Sequence, residues 1–410
     1  MSKKTFTLFI LVLLALIAFL GWFFFFRGET RQGPDGTDQP TDLFPFGQGT
    51  TTTSTTATST DSTPGTIDIS NGGQTVIPRL RQLWKDPTAG ATFFPGTGTS
   101  TSVRFVDRAT GHIYEAPLAA TGETKISNVT IPQIHEALWA QNGNELIFRY
   151  LKNDSIIQSF YATIATSSAS TTSSIEGYFL PENIRDISIL GDSILYFNPA
   201  VQIGSLVSAR VDGTGRKVIM SSDARDWSLS YTNAKTAFIG TRPSGLIKGF
   251  GYSLNLSTGI TTKIIGDITG LTGTINPTGT FAFMSAQEGN GIVSAAYDMI
   301  AKKATTLSVR TLSDKCAWSN TTSHIIYCAV PTSILSGIYP DDWYQGKTSF
   351  SDRLWSINLS TGKANLIMDP PFDAIQEMDI MKIVVEKDDS HLTFTNKKDM
   401  SLWLYRLSEE

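Results

Sequence analysis

From about residue 75 to the C-terminus one unit keeps returning: an apolar strand, a polar turn, and a second strand ending in an aromatic. Leu138-Trp139-Ala140-Gln141-Asn142-Gly143-Asn144-Glu145-Leu146-Ile147-Phe148 is a clear copy. The terminal aromatics are Phe105, Phe148, Phe197, Phe238, Phe283, Tyr327 and Phe394, at intervals of 43, 49, 41, 45, 44 and 67 residues. Each unit continues into a further hairpin, plainest in Tyr252-Ser253-Leu254-Asn255-Leu256-Ser257-Thr258-Gly259 and Trp355-Ser356-Ile357-Asn358-Leu359-Ser360-Thr361-Gly362. Four strands in a period of ~40–50 residues is the pattern of a propeller blade, whose sheet buries both faces only against its neighbours. The repeat predicts an all-β fold, a β-propeller of about seven blades over residues 75–410. Two successive β-sandwiches are the competing architecture, and six or eight blades are the competing counts because the first unit is the least regular.

A ring of blades must be closed. The last unit supplies Ile383 to Glu386, Leu392 to Thr395 and Leu402 to Leu407, one strand short of a full blade. Val76 to Trp84, ahead of the first blade, is apolar enough to supply the missing strand, so N-terminal strand closure is expected. Composition agrees with short strands and turns: charged residues are 17%, hydrophobic ones 40%, and there are 34 Gly. A net charge of -4 leaves no basic surface for a phosphate backbone, so nucleic acid is not an expected partner.

Thr5 to Phe26 carry no charge, and at ~1.5 Å per residue such a run spans a bilayer core. It ends in Gly21-Trp22-Phe23-Phe24-Phe25-Phe26 rather than in a small-x-small cleavage site, so residues 1–27 read as a transmembrane anchor. Lys3 and Lys4 ahead of it favour a cytoplasmic N-terminus. Residues 28–74 contain Pro34, Pro40, Pro45 and Pro64, and twelve of the fourteen residues from Thr50 to Thr63 are Thr or Ser. Nothing there can form an apolar face, and a disordered stalk is expected. The predicted layout is a single-pass protein of the cell membrane with its propeller outside the cytoplasm.

The repeat resembles TolB-like and WD40-like propeller repeats, in which a Ser-Pro-Asp-Gly turn separates an inner strand from one ending in an aromatic. Its traces are Trp139 with Gln141-Asn142-Gly143, Asn276-Pro277-Thr278-Gly279 before Phe281-Ala282-Phe283, and Trp318-Ser319-Asn320 before Ile325-Ile326-Tyr327. None is the full motif. The resemblance implies a propeller and, for most such proteins, the binding of proteins or peptides.

Two features stand outside the repeat. Cys316 and Cys328 lie on the two strands of one predicted hairpin, opposite each other about a turn centred near Thr322, and form a candidate disulfide; two buried thiols are the alternative. The long interval contains an insertion, Ser333 to Asp352, carrying Tyr339, Asp341, Asp342, Trp343 and Tyr344. Aromatics beside carboxylates suit a partner protein or a sugar, and loops are where scaffolds carry function. These five residues are the candidate binding site, packing of the loop onto its blade being the other reading.

No nucleophile elbow, phosphate loop or zinc spacing is present, and His112, His135, His324 and His391 fall in different blades. No catalytic residue, metal or cofactor is therefore expected, and the chain is expected not to be an enzyme. The leading expectation is a protein–protein interaction or scaffolding module that binds an envelope or surface protein. The alternative is an extracellular glycan-binding or glycan-cleaving propeller with carboxylates converging at the channel.

Overall fold

The computed structural model describes residues 77–95, 101–153, 155–165, 174–199, 203–224 and 226–408; the anchor and stalk expected over residues 1–74 lie outside them. Among the described residues no helix is long and apolar enough to cross a membrane. The strands form seven four-stranded sheets, each antiparallel. The protein is a seven-bladed β-propeller.

The inner strands are Thr88–Pro95, Glu136–Trp139, Ile187–Leu190, Trp227–Asn233, Thr272–Ile275, Cys316–Trp318 and Ile380–Val385, in blades 1 to 7. In six blades the strands follow chain order from the axis outward. The repeated aromatics lie within the second strands, which run on past them, and there both faces of the sheet are covered and the side chains vanish from solvent: Phe105, Phe148, Phe283 and Phe394 are 0% exposed. Each such side chain contributes about 1.5–3 kcal/mol of burial. They are shared between blades, as where Phe197 and Leu195 of blade 3 pack with Ile239 and Leu254 of blade 4. The two matching hairpins fold alike. Asn255 and Asn358 each accept two backbone N–H groups through Oδ1, from Ser257 and Thr258 and from Ser360 and Thr361. Gly259 and Gly362 then take φ of 73° each, a left-handed turn that favours glycine.

Ring closure is by the N-terminal strand. Leu80–Trp84 forms the outer strand of blade 7, antiparallel to Leu402–Arg406, with Leu80 opposite Tyr405 and Trp84 opposite Leu402. The same strand grips blade 1. Trp84 packs on Tyr114 and Phe105 at ring distances of 4.5 and 5.4 Å, and Arg81 donates to the carbonyls of Pro117, Leu118 and Ala120 at 2.6, 3.0 and 2.6 Å.

The face on which the inner strands begin is called the upper face. It carries the insertion, which connects the second strand of blade 6, Ile325–Pro331, to the third, Asp352–Asn358. Leu80–Trp84 starts on the lower face, since its far end, Trp84, lies opposite the upper-face residue Leu402.

Candidate functional site

An acidic residue stands at or within two positions of the start of the inner strand in every blade but the fifth: Asp86, Glu136, Asp186, Asp226, Asp314 and Asp379. Propeller geometry gathers these positions around the upper mouth of the channel. Most are balanced locally. Glu136 accepts from Arg149 Nη1 at 2.6 Å, Asp226 from Arg185 Nη1 at 3.0 Å, and Asp379 from Lys315 Nζ at 2.5 Å.

The insertion is fastened to this mouth and to the loops of blades 4 and 5. Asp341 Oδ2 accepts from Gly245 N at 2.6 Å, and Gln287 Oε1 accepts from Tyr339 N at 2.5 Å. Gly270, at φ of +68°, lies so close that a Cβ there would sit 2.4 Å from the Tyr339 carbonyl oxygen. Asp342 accepts from Ile338 N at 2.8 Å within the loop. Tyr339 and Trp343 are buried, at 1% and 4% exposure, in a cluster with Leu312, Ile292 and Phe350.

Beneath Trp343 lies a charged core. Lys315, Asp352 and Asp379 are all 0% exposed, with the ammonium 2.8 Å from Asp352 and 2.5 Å from Asp379. Asp379 also accepts from Trp343 Nε1, Ser349 Oγ and Phe350 N. Asp352 accepts from Ile380 N at 2.6 Å through Oδ2, while its buried Oδ1 has no hydrogen-bond partner among the described residues. Two carboxyls share one cation. Burial, with the neighbouring charge of Asp379 adding to it and Lys315 opposing, pushes Asp352 up to about 6.

Of the five insertion residues, Tyr344 faces outward, at 44% exposure. Its hydroxyl donates to Asp314 Oδ2 at 3.1 Å, and its ring closes one side of a cleft of about 890 Å3 whose other walls come from blades 2, 3 and 4. Asp314 shows surface to the channel yet is ringed by protein, and that enclosure raises its carboxyl. Opposite Tyr344 stand Trp227, Arg185, Asp226, Arg242 and Asp186. Arg185 Nη1 contacts both oxygens of Asp226 at 3.0 and 3.1 Å, and Arg242 Nη1 approaches Oδ2 at 3.7 Å. Asp186 caps blade 4 from blade 3: Oδ2 accepts from Leu229 N at 2.7 Å and Oδ1 from its neighbour Ile187 N at 2.9 Å. Burial outweighs those bonds and pushes its carboxyl up to about 6. Aromatic faces, planar ion pairs and a carboxyl that titrates near neutrality thus meet at one opening.

Cys316 and Cys328 are register partners in blade 6, and their sulfurs are bonded at 2.11 Å. Among the described residues no group of three or more His, Cys, Asp or Glu side chains could hold a metal ion. Sequence reasoning picked the insertion but missed Arg185, Asp186, Asp226, Trp227 and Arg242. A usable signal existed in the acidic residue that recurs at the start of the inner strands.

No family model matches the chain, and no curated protein matches it. Among solved structures, an oligogalacturonate lyase in complex with manganese superposes with a TM-score of 0.50 at 10% identity, over 81% of this chain and 91% of its own. The oligogalacturonate lyase of Vibrio parahaemolyticus gives 0.52 at 10% identity, over 80% of this chain and 94% of its own. TolB from Acinetobacter baumannii aligns over 63% of this chain and 60% of its own at 12% identity, with a TM-score of 0.41. At 10% identity the lyases speak to the fold alone. They still correct one expectation, that the chain is not an enzyme. Catalysts are built on this architecture, and a propeller site assembled from several blades leaves no local motif, so a motif search carries no weight against activity.

Proposed function

We propose that this chain is a membrane-tethered propeller that takes an extracellular saccharide in its upper-face cleft. The observation that carries the reading is the placement of Trp227 and Tyr344 beside the Arg185–Asp226–Arg242 ladder. Aromatic faces suit the apolar faces of sugar rings, and planar ion pairs suit vicinal hydroxyls. Burial raises the Asp186 carboxyl to about 6 at the wall of this cleft, and cleavage is the further activity to assay there. The lyases of the same fold are named for an acidic oligosaccharide, which makes such polymers the first to try.

The tether rests on residues 5–26 and the Thr/Ser-rich segment after them. A disulfide suits an oxidising compartment and so supports an extracytoplasmic propeller. The first described strand starts on the lower face, the face opposite the cleft.

A second reading, capture of an envelope or surface protein, is favoured by a separate observation. Leu246 and Ile247 of blade 4 are 72% and 56% exposed, and Leu335 and Ile338 of the insertion are 60% and 39% exposed. The two loops meet where Gly245 abuts Ile338. Exposed aliphatic groups on adjoining loops suit a protein partner.

Full-length protein in detergent, passed over immobilised neutral and uronic polysaccharides, tests the first reading. Retention that Trp227→Ala abolishes supports it, and release of soluble fragments adds the activity. No retention on any polymer, with capture of a protein that Leu246→Asp prevents, replaces it with the second.

A further inference from the structure

At the upper mouth of the channel blades 7, 1 and 2 bring in the cations Lys382, Arg108 and Arg149. Lys382 is placed by an irregularity. In blade 7 Met381 pairs with Thr395 and Val384 with Thr393, so residues 382 and 383 together face a single partner position, and Lys382 takes φ of +51°. Such bulges re-aim side chains and recur beside functional sites. The re-aimed side chain lines a channel cavity of about 350 Å3 together with Glu136, Thr92 and Ser188.

Lys382 Nζ donates to the Ala89 carbonyl at 3.0 Å, its single hydrogen bond among the described residues, and it has no ion pair among them. The nearby carboxylate is spoken for, because Glu136 is held by Arg149 Nη1 at 2.6 Å. Arg108 is likewise without a carboxylate among the described residues; its Nη2 reaches His135 Nδ1 at 3.0 Å. Burial, and after it the charges of Arg108 and Arg149, lowers the Lys382 ammonium against the opposing pull of Glu136. A cavity lined by a lysine without an ion pair of its own among the described residues, with the charge of Arg108 nearby, attracts an anion.

We infer that the upper channel is an oxyanion-binding site in which Lys382, with the charge of Arg108 reinforcing it, holds a carboxylate or phosphate group of a small ligand. The inference stands apart from the saccharide reading, since a uronic acid is one carrier of that group and a phosphorylated molecule another.

Calorimetric titration of the full-length protein at low salt with glucuronate, inorganic phosphate and neutral glucose tests it. Binding of glucuronate or phosphate is expected, weakened at least tenfold by Lys382→Met, restored by Lys382→Arg and weakened by raised salt. The stronger of the two anions identifies the source of the group. Each variant is checked by its thermal unfolding; should Lys382→Met fail to fold, Arg108→Gln, at the partly exposed rim, is read in its place. Unchanged affinity in the variant, or no binding of either anion at millimolar concentration, overturns the site. Trp227→Ala separates the two proposals: polysaccharide retention lost while anion binding persists leaves this site standing, and anion binding without any polysaccharide retention in the unmutated protein removes the saccharide reading alone.

Discussion

Trp343 Nε1 donates to both carboxylate oxygens of Asp379, at 3.0 and 3.1 Å, and so pins the insertion of blade 6 to the first turn of blade 7. A hydrogen bond to a charged group is worth about 1.5–3 kcal/mol, and Trp343→Phe is expected to lose that amount. Lys315→Met is expected to lose more, about 3–5 kcal/mol, because it leaves Asp352 and Asp379 buried without a cation. Urea unfolding of the two variants checks the order. Equal losses would show that leaving Asp352 and Asp379 without their cation costs no more than one hydrogen bond to Asp379.

Asp352 makes part of the stability depend on pH. Its folded value is about 6, above the ~3.9 of an unfolded aspartate, so the folded state holds the proton more tightly. The contribution of this group is full below about pH 4, falls as pH rises towards 6 and is flat above. Asp352→Asn keeps an acceptor for Ile380 N and Lys315 and sets an amide where the unpartnered Oδ1 stands. Unfolding measured from pH 4 to pH 7 is expected to show the stability of the unmutated protein falling relative to Asp352→Asn up to about pH 6 and then running parallel. A constant difference across the range would place the proton elsewhere.

Strand Leu80–Trp84 is expected to be indispensable for a soluble ring. Without it Leu402–Arg406 becomes a bare edge, and Trp84 and Arg81 no longer tie blade 7 to blade 1. Deletion of residues 77–86 should turn a monodisperse species into aggregates by size-exclusion chromatography with light scattering. A monodisperse deletion would mean that the blade contacts alone close the ring.

The ring was legible because each blade must solve the same packing problem with neighbouring residues. Strand, turn and aromatic lie within about a dozen positions of each other, as in Leu138 to Phe148, and the missing strand of the last blade showed as an unassigned apolar stretch ending at Trp84. The cleft was not legible, because Arg185, Asp226, Arg242 and Tyr344 come from four connections and meet only after the ring closes. Within the insertion residue type left two readings open, recognition and packing of the loop; Tyr339 and Trp343 are buried, and Gly270 and Gln287, which receive the loop, lie far away in the sequence, so local sequence could not choose between them.

The Cys316–Cys328 bond should stabilise the folded chain chiefly by restricting the unfolded one. With the cysteines 12 positions apart in sequence, loop closure contributes about 3 kcal/mol. Cys316→Ser with Cys328→Ser is expected to lower the melting temperature by several degrees and to make it indifferent to reductant. A reductant effect of equal size in the double variant would show that it arises elsewhere.

The seat of the insertion should control the cleft from a distance. A methyl at Gly270 would lie 2.4 Å from the Tyr339 carbonyl and 3.0 Å from Gln287, and φ of +68° adds strain for any residue with a Cβ. The atoms met are the Tyr339 carbonyl and the Gln287 backbone and Cβ, not the far end of a flexible side chain, so relief requires the insertion to be displaced. Lifting withdraws Tyr344, whose hydroxyl reaches Asp314 at 3.1 Å, from the wall it forms with Trp227. Gly270→Ala is therefore expected to weaken ligand retention about as much as Tyr344→Ala, by about 1–3 kcal/mol if each removes one aromatic contact, or roughly 5-fold to 150-fold. The double variant should be no weaker than either single one, since both remove the same ring from the same wall. Retention of the saccharide ligand by the three variants, with unfolding curves recorded beside it, checks this. Additive losses would show that Gly270 acts through the fold at large and not through the position of Tyr344.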